Sequence, residues 1–103
     1  MFGLSEQTIK DIQSVFDTQP NIDRVLIFGS RAKGTYREGS DIDLALIGNG
    51  ISLNQRLDIL NRIEDCGILY KVDILDYQKQ KDTPIGDHIN RVGVCFWSRQ
   101  PVQ

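Results

Sequence analysis

The sequence predicts an α/β domain in which helices flank one small mixed β-sheet. Two observations favour this fold class. Amphipathic segments with helical spacing alternate along the chain with shorter segments of strand type. The chain has 103 residues, of which 40% are hydrophobic and 25% charged, so residues 1–103 are expected to form a single domain with one core.

The first half of the chain is expected to contain two helices and two strands. A helix over 5–18 begins at Ser5, whose hydroxyl can cap the first turn. The unbroken apolar run within 23–28 predicts a strand that is buried on both faces. A short helix is expected to begin at Ser30, and the alternating segment 41–47 predicts a second strand.

The second half is expected to alternate helices and strands in the same way. The predicted elements are a helix over 52–65, a strand over 70–75, a polar loop over 78–82, a helix over 83–92 and a strand over 94–97. The first of these helices carries an apolar stripe that is expected to face the core. The residues of this stripe are Leu53, Leu57, Leu60 and Ile63.

Charge and hydropathy exclude some classes of function. The formal net charge of −2 argues against tight, sequence-independent binding to nucleic acid, which depends on many phosphate contacts. No apolar stretch approaches the roughly 18 residues of a membrane span. The N-terminus lacks the basic and apolar regions of a signal peptide, so a cytoplasmic location is expected.

The cysteines and the histidine carry weak signals. Cys66 and Cys95 are far apart and have no CxxC spacing, so we expect reduced, buried thiols, with a disulfide or metal pair as the alternative. His88 is the only histidine, and a structural or solvated role is favoured over a catalytic one.

Paired aspartates at the start of the second predicted strand indicate a metal site. Asp41 and Asp43 are two residues apart, so their carboxylates project from one face of the strand. The carboxylates repel each other unless a cation lies between them, and Mg²⁺ prefers carboxylates, phosphate oxygens and water as ligands. Asp73 can add a third carboxylate from the same face, whereas Asp76 competes for this role but alternates onto the other face with Ile74. Three carboxylates could hold two metal ions about 3.5–4 Å apart.

A Gly-Ser pair before these aspartates indicates a phosphate-binding loop. Gly29 lets the backbone approach a ligand closely, and Ser30 stands where a helix start can bind phosphate. Arg31 and Lys33 add positive charge and are expected to contact the phosphates. The following loop, 35–38, is expected to be mobile, and Arg37 within it is either a substrate contact or a solvated charge.

The arrangement from Gly29-Ser30 to Asp41-x-Asp43 resembles the signature of the nucleotidyltransferase superfamily that includes DNA polymerase beta. It is most similar to the minimal nucleotidyltransferases of bacteria and archaea. The resemblance implies a palm-like core, with two Mg²⁺ ions during catalysis and a nucleoside triphosphate, usually ATP, as substrate. Asp73 matches the third acidic position of the family.

The resemblance also implies a partner. Minimal nucleotidyltransferases are commonly encoded beside a helical HEPN-domain protein, and they resemble antitoxins that transfer AMP to a tyrosine of that toxin, a ribonuclease. Larger members carry a further domain that binds the acceptor, whereas this sequence ends soon after its last predicted strand. The acceptor site is therefore expected to come from a partner or from a second copy.

Two questions about such a partner stay open from the sequence. Phe96 and Trp97 are either incompletely buried and available to a partner, or ordinary core under the first helix. The chain itself is either an enzyme or a non-catalytic binding module that blocks a toxin sterically, with a vestigial metal site. The intact Gly-Ser pair and three acidic residues favour the enzyme.

Overall fold

The computed structural model describes residues 1–100 and confirms the predicted fold class. Four strands form one sheet in the order β3-β2-β1-β4. β2 and β3 are parallel, whereas β1 is antiparallel to both β2 and β4, so the sheet is mixed. In chain order the elements are α1 (Glu6–Phe16), β1 (Ile22–Phe28), α2 (Gly29–Lys33), β2 (Ile42–Gly48), α3 (Leu53–Asp65), β3 (Val72–Asp76), α4 (Tyr77–Gln80), α5 (Pro84–Val92) and β4 (Val94–Ser98).

Hydroxyl side chains cap the three long helices at their first turns. Ser5, Ser52 and Thr83 each accept a hydrogen bond from a backbone N–H three residues further along, in α1, α3 and α5 respectively. Each cap satisfies a backbone donor that has no partner within the helix. These helices therefore begin where the sequence predicts.

The two faces of the sheet have different cores. The main core lies between one face and helices α1 and α3, where Phe16, Ile59 and Ile63 are buried. A smaller cluster on the other face joins Phe28 and Ala45 to Ile89 of α5. Since neighbouring residues of a strand point to opposite faces, Asp43 lies on the same face as this smaller cluster.

Three sequence predictions about the second half are wrong in detail. The polar segment 78–82 is not entirely a loop, because α4 extends into it and the Asp76 carboxylate caps α4 by accepting the Gln78 N–H at 3.1 Å. β3 begins at Val72, two residues after the predicted start. Leu53 and Leu57 are 58% and 49% exposed, because the buried side of α3 runs through Ile59 and Ile63 rather than along the whole predicted stripe.

Phe96 and Trp97 are ordinary core residues. Both are buried under α1, where the Trp97 ring packs against Phe16 and its Nε1 donates to Asp17 at 2.9 Å. They therefore offer no apolar surface to a partner. Within residues 1–100, no helix has the length and apolar character needed to cross a bilayer.

The thiols of Cys66 and Cys95 are free and exposed, so the prediction that they are buried is wrong. Cys66 caps the C-terminal end of α3, and Cys95 lies on β4 at an edge of the sheet. Both positions leave a small side chain open to solvent.

Candidate active site

Asp41, Asp43 and Asp73 lie near one another on the sheet and are called the acidic row below. Asp43 on β2 pairs with Phe28 on β1 and with Asp73 on β3, so these three residues occupy adjacent positions on three strands. Side chains at such paired positions lie on one face of the sheet. Asp41 lies just before β2 and is separated from Asp43 by one residue. The sheet thus brings Asp43 and Asp73 together although the loop and helix between them are long.

Gly29 is required where α2 meets this row. Its φ of +73° lies in the left-handed region, which residues other than glycine rarely adopt. A Cβ atom at this position would also overlap the Oδ2 atom of Asp43. The start of α2 can therefore lie directly against the Asp43 carboxylate only because residue 29 has no side chain.

The crowding of carboxylates perturbs Asp43. Burial raises the pKa of Asp43 above its ordinary value, and the neighbouring charges of Asp73 and Asp41 raise it further. His88 and Lys71 lower the pKa of Asp43 by smaller amounts. Negative charge accumulates here without an adjacent cation that balances it fully, which favours binding of a proton or a metal ion.

The carboxylates of the acidic row can supply some, but not all, of the ligands of a Mg²⁺ ion. Within residues 1–100, no three Asp, Glu, His or Cys side chains converge closely enough to enclose a metal ion by themselves. Asp43 and its neighbours can supply carboxylate oxygens, and Mg²⁺ ordinarily completes its coordination with phosphate oxygens and water. The chemistry of the site thus suits an ion that arrives with a nucleotide, and metal binding by Asp41, Asp43 and Asp73 stays a prediction.

Helix α2 holds the predicted phosphate-binding residues. Ser30 is half-buried in its first turn, directly after Gly29. The helix ends at Gly34, whose φ is +79° and whose N–H donates to the Ser30 carbonyl. Lys33 is exposed in the last turn. These positions keep Ser30 close to Asp43 and leave the Lys33 ammonium free in solvent.

Arg31 differs from the expectation of a phosphate contact. Its side chain is 2% exposed. The guanidinium donates to the backbone carbonyls of Ser40 and Phe2 and lies over the rings of Tyr36 and Tyr70. Because the protein itself uses these donors, Arg31 is not available to a phosphate.

A groove of about 550 Å³ opens beside the acidic row. Asp43 and Asp73 line it from the sheet, and Pro84, Ile85 and His88 line it from α5. It continues over β3, which is an edge strand of the described sheet. The carboxylates are therefore reachable from solvent by a large substrate.

Family comparison identifies the chain. The family model for "Polymerase beta, Nucleotidyltransferase" matches residues 10–102. The chain belongs to this family. It is a nucleotidyltransferase, as the motif predicts, and the acidic row lies where the motif residues meet.

A curated relative and several solved structures are similar to this nucleotidyltransferase. A protein of Methanocaldococcus jannaschii, provisionally named a protein adenylyltransferase, is 32% identical over 88 residues, which cover 82% of this chain and 87% of the relative. A toxin-antitoxin structure with AMP-PNP has a TM-score of 0.72 at 23% identity and covers 94% of this chain and 76% of that chain.

Two further structures extend this comparison. The MntA-HepT toxin-antitoxin structure has a TM-score of 0.68 at 18% identity, and the match covers 93% of this chain and 74% of that one. A protein of Sulfolobus solfataricus, provisionally described as a nucleotidyltransferase, has a TM-score of 0.54 at 24% identity, with coverage of 94% and 92%. At these identities the structures confirm the nucleotidyltransferase fold.

Sequence reasoning missed His88 as part of the site of this nucleotidyltransferase. The His88 ring meets the Phe28 ring edge-on, with centroids 6.2 Å apart, and it lines the groove with Asp43. One sequence signal points to it: Ile85 and His88 are three residues apart on a helix and so share a face. Asp76 is buried and caps α4, which agrees with its expected place on the face opposite Asp73.

Proposed function

We propose that this nucleotidyltransferase transfers AMP from ATP to a side-chain hydroxyl of a partner protein. The partner that we propose is a HEPN-type ribonuclease toxin, which the transfer would inactivate, so that the chain acts as an antitoxin in the cytoplasm. One observation carries the chemical part of the proposal. The Asp43 carboxylate is crowded by Asp73 and Asp41 and lies against the start of the Gly29-Ser30 helix.

The similar proteins support the choice of substrate and partner. The curated relative is provisionally named a protein adenylyltransferase, and one structural neighbour is a toxin-antitoxin pair with AMP-PNP, an analogue of ATP. Another neighbour, 20% identical, is an MntA-HepT variant in which two aspartates are replaced by glutamates. Asp41 and Asp43 are the aspartate pair that we propose as essential in this chain.

The residues would divide the work as follows. Asp41, Asp43 and Asp73 hold Mg²⁺, which when bound supplies positive charge to the phosphate oxygens and to the attacking oxygen. The Ser30 hydroxyl and the backbone N–H groups beside it would position the phosphates. The positive charge of Lys33 would attract the triphosphate from a distance. Positioning and charge stabilisation account for most of the catalysis of such transfers.

The proposed reaction is an in-line displacement at the α-phosphorus of ATP. The acceptor oxygen forms a bond to the α-phosphorus while the bond to the oxygen that bridges to the β-phosphate breaks, and pyrophosphate leaves. We assign the proton of the acceptor hydroxyl to Asp73, because Asp73 lies on the edge strand and lines the groove through which an acceptor reaches the site.

The groove suits an aromatic acceptor. Pro84 and Ile85 give one wall an apolar surface, and Ile85 is 46% exposed. Asp43 and Asp73 lie on the opposite side of the same groove. A tyrosine ring packed on the apolar wall could present its hydroxyl to the carboxylates, which supports tyrosine as the modified residue.

Co-expression with the product of the neighbouring gene tests the proposal. The intact mass of that partner should increase by one or more AMP units with the wild-type chain, and no increase should occur with Asp43→Asn. Asp23→Asn is the matched control, because Asp23 is exposed on β1 away from the acidic row, and it should modify the partner fully. If Asp43→Asn protects cells from the toxin as well as the wild type does, while the partner mass stays unchanged, the chain acts by steric blocking.

A further inference from the structure

We infer that Arg31 is a positioning residue for nucleotidyl transfer, which holds the backbone before Asp41 against helix α2. The inference rests on the proposed role of Asp41 as a metal ligand. Arg31 lies in α2, one residue after Ser30, and it reaches the far end of residues 34–40, which we call the motif loop. It would thus set the spacing between the phosphate-binding residues and the first aspartate.

Two of the three hydrogen bonds of Arg31 are directed at a single oxygen atom before Asp41. Nε and Nη2 both donate to the Ser40 carbonyl, at 3.0 and 2.8 Å. Nη1 donates to the Phe2 carbonyl at 2.9 Å. Two N–H donors of one rigid guanidinium that converge on a single carbonyl oxygen restrain the position of the Ser40 peptide group. Since that peptide group joins Ser40 to Asp41, its position fixes the backbone from which the Asp41 side chain begins.

Two aromatic rings hold the guanidinium in place. Its central carbon lies 4.6 Å from the centroid of the Tyr70 ring and 5.4 Å from that of Tyr36. Tyr36 belongs to the motif loop, and Tyr70 lies two residues before β3, the strand of Asp73. Arg31 therefore contacts the segments that lead to both Asp41 and Asp73.

The motif loop needs such a restraint. Residues 34–39 between α2 and Ser40 are exposed. Local bonds close a turn at the end of the loop, where the Ser40 N–H donates to the Arg37 carbonyl and the Arg37 N–H donates to Ser40 Oγ. These bonds fix the turn but not its place relative to α2. The bonds from Arg31 to Ser40 supply that connection.

Lysine cannot replace arginine in this role. A guanidinium is a planar fork that can make two parallel hydrogen bonds and stack on a ring, whereas an ammonium is a compact point charge. Arg31→Lys therefore keeps the charge but loses the paired bonds to Ser40. Loss of partners that orient metal ligands typically lowers metal affinity or activity by roughly 10–100-fold.

Arg99 offers a matched control at the other end of β1. Its guanidinium donates through Nε and Nη2 to the Ile22 carbonyl, at 3.1 and 2.9 Å, and lies 5.1 Å from the centroid of the Trp97 ring. The hydrogen-bonding pattern is similar to that of Arg31, although Arg99 is exposed and Arg31 is buried, and no residue of the acidic row is involved. Arg99→Lys should therefore show a structural cost of the same kind, smaller because Arg99 is exposed, and leave the site intact.

The test compares Arg31→Lys, Arg99→Lys and the wild type by three measurements. These are the melting temperature, the affinity for Mn²⁺ in the presence of AMP-PNP measured by electron paramagnetic resonance, and the kcat and KM of transfer to the partner. Both variants should melt at a lower temperature. Only Arg31→Lys should bind Mn²⁺ more weakly and lose kcat, each by roughly 10–100-fold.

A folded Arg31→Lys with wild-type Mn²⁺ affinity and kcat would overturn the inference, as would equal losses in both variants. If Arg31→Lys does not fold, Tyr70→Leu removes a ring beside the guanidinium and should weaken Mn²⁺ binding in the same direction. Unchanged Mn²⁺ binding in Tyr70→Leu would then overturn the inference. A wild-type chain that binds Mn²⁺ and AMP-PNP but modifies no partner contradicts the proposed acceptor instead.

Discussion

At the scale of single residues, Asp43 stands out because its surroundings disfavour the ionised form of its carboxylate. Its carboxylate is partly buried beside Asp73 and Asp41, so its ionised form is disfavoured in the folded protein and its pKa is raised. Structural needs alone do not account for an acid placed in this way. Perturbed acids in a groove are typical of functional sites, and the repulsion here is the property that would draw a divalent cation.

Asp43→Asn should therefore stabilise the metal-free protein at neutral pH while abolishing transfer. With a raised folded-state pKa, the folded chain retains a proton that the unfolded chain has already lost. Stability thus falls as pH rises from the unfolded-state pKa through the folded-state pKa of Asp43. Asparagine has no ionisable carboxylate, so the variant does not lose stability as pH rises. Its gain in melting temperature over the wild type should therefore be largest at neutral pH and should shrink on acidification. A constant gain at all pH values, or none at neutral pH, would contradict this account.

Gly29→Ala should destabilise the folded protein by more than backbone strain alone explains. An alanine in the left-handed region costs about 1–2 kcal/mol, and at residue 29 its Cβ would also displace the Asp43 carboxylate. Gly50→Ala is the matched control, since Gly50 has a φ of +61° and open space where a Cβ would lie. Urea unfolding should show the smaller cost for Gly50→Ala, with full transfer activity. Equal stability losses and equal activities would remove the argument for close contact at Gly29.

Helix α2 is the element that would bind the phosphates. It has five residues and begins beside Asp43, so Ser30 is its only hydroxyl in reach of a ligand at the acidic row. The short helix is held by the Arg31 contacts and by the left-handed Gly34 at its end. These features fix Ser30 more firmly than a loop would.

Ser30→Ala should slow transfer by on the order of 10²–10³-fold, the usual cost of removing one positioned donor to a charge-bearing oxygen. Mn²⁺ affinity should change less than in Asp43→Asn, because the hydroxyl is proposed to bind phosphate rather than metal. Ser14→Ala on the exposed side of α1 is the control and should transfer normally. An unchanged rate for Ser30→Ala at limiting ATP would exclude the hydroxyl from the phosphate site.

Helix α5 forms one wall of the groove, and its N-terminal cap allows this role to be tested. Thr83→Ala removes the acceptor for the Gly86 N–H and should cost about 1 kcal/mol. Ser5→Ala removes the equivalent cap of α1 and should cost a similar amount. Only Thr83→Ala should raise the KM for the protein acceptor, since fraying of α5 moves Pro84 and Ile85. Equal KM values in the two variants would show that α5 does not contact the acceptor.

The elements, and the neighbouring positions of Asp43 and Asp73 on the sheet, were predictable from local signals, whereas the roles of the site residues stay predictions. The apolar run at 25–28, the hydroxyl caps and the Asp-x-Asp alternation are short-range patterns, and each corresponds to an observed element. Arg31 was not predictable, because its burial depends on Tyr70, a residue distant in sequence. The exposure of Leu53 and Leu57 was likewise not predictable, because α3 has several apolar residues and only its packing on the sheet decides that Ile59 and Ile63 are buried.

The whole molecule has an acidic row at an open edge of its sheet. The net charge of −2 gives no broad attraction for nucleic acid, and the groove beside Asp73 is open to solvent. An acceptor carried by another protein can therefore reach the carboxylates along β3. This geometry is consistent with a nucleotidyltransferase core whose acceptor comes from a partner.

The proposed reaction moves a nucleotidyl group, rather than a terminal phosphate, to a partner protein. The most direct measurement incubates the chain and its partner with Mg²⁺ and ATP that is radiolabelled at either the α- or the γ-phosphate. The partner should retain label from α-labelled ATP only, and label from γ-labelled ATP should leave as pyrophosphate. Label retained from γ-labelled ATP, or no label retained from α-labelled ATP, would contradict this reaction.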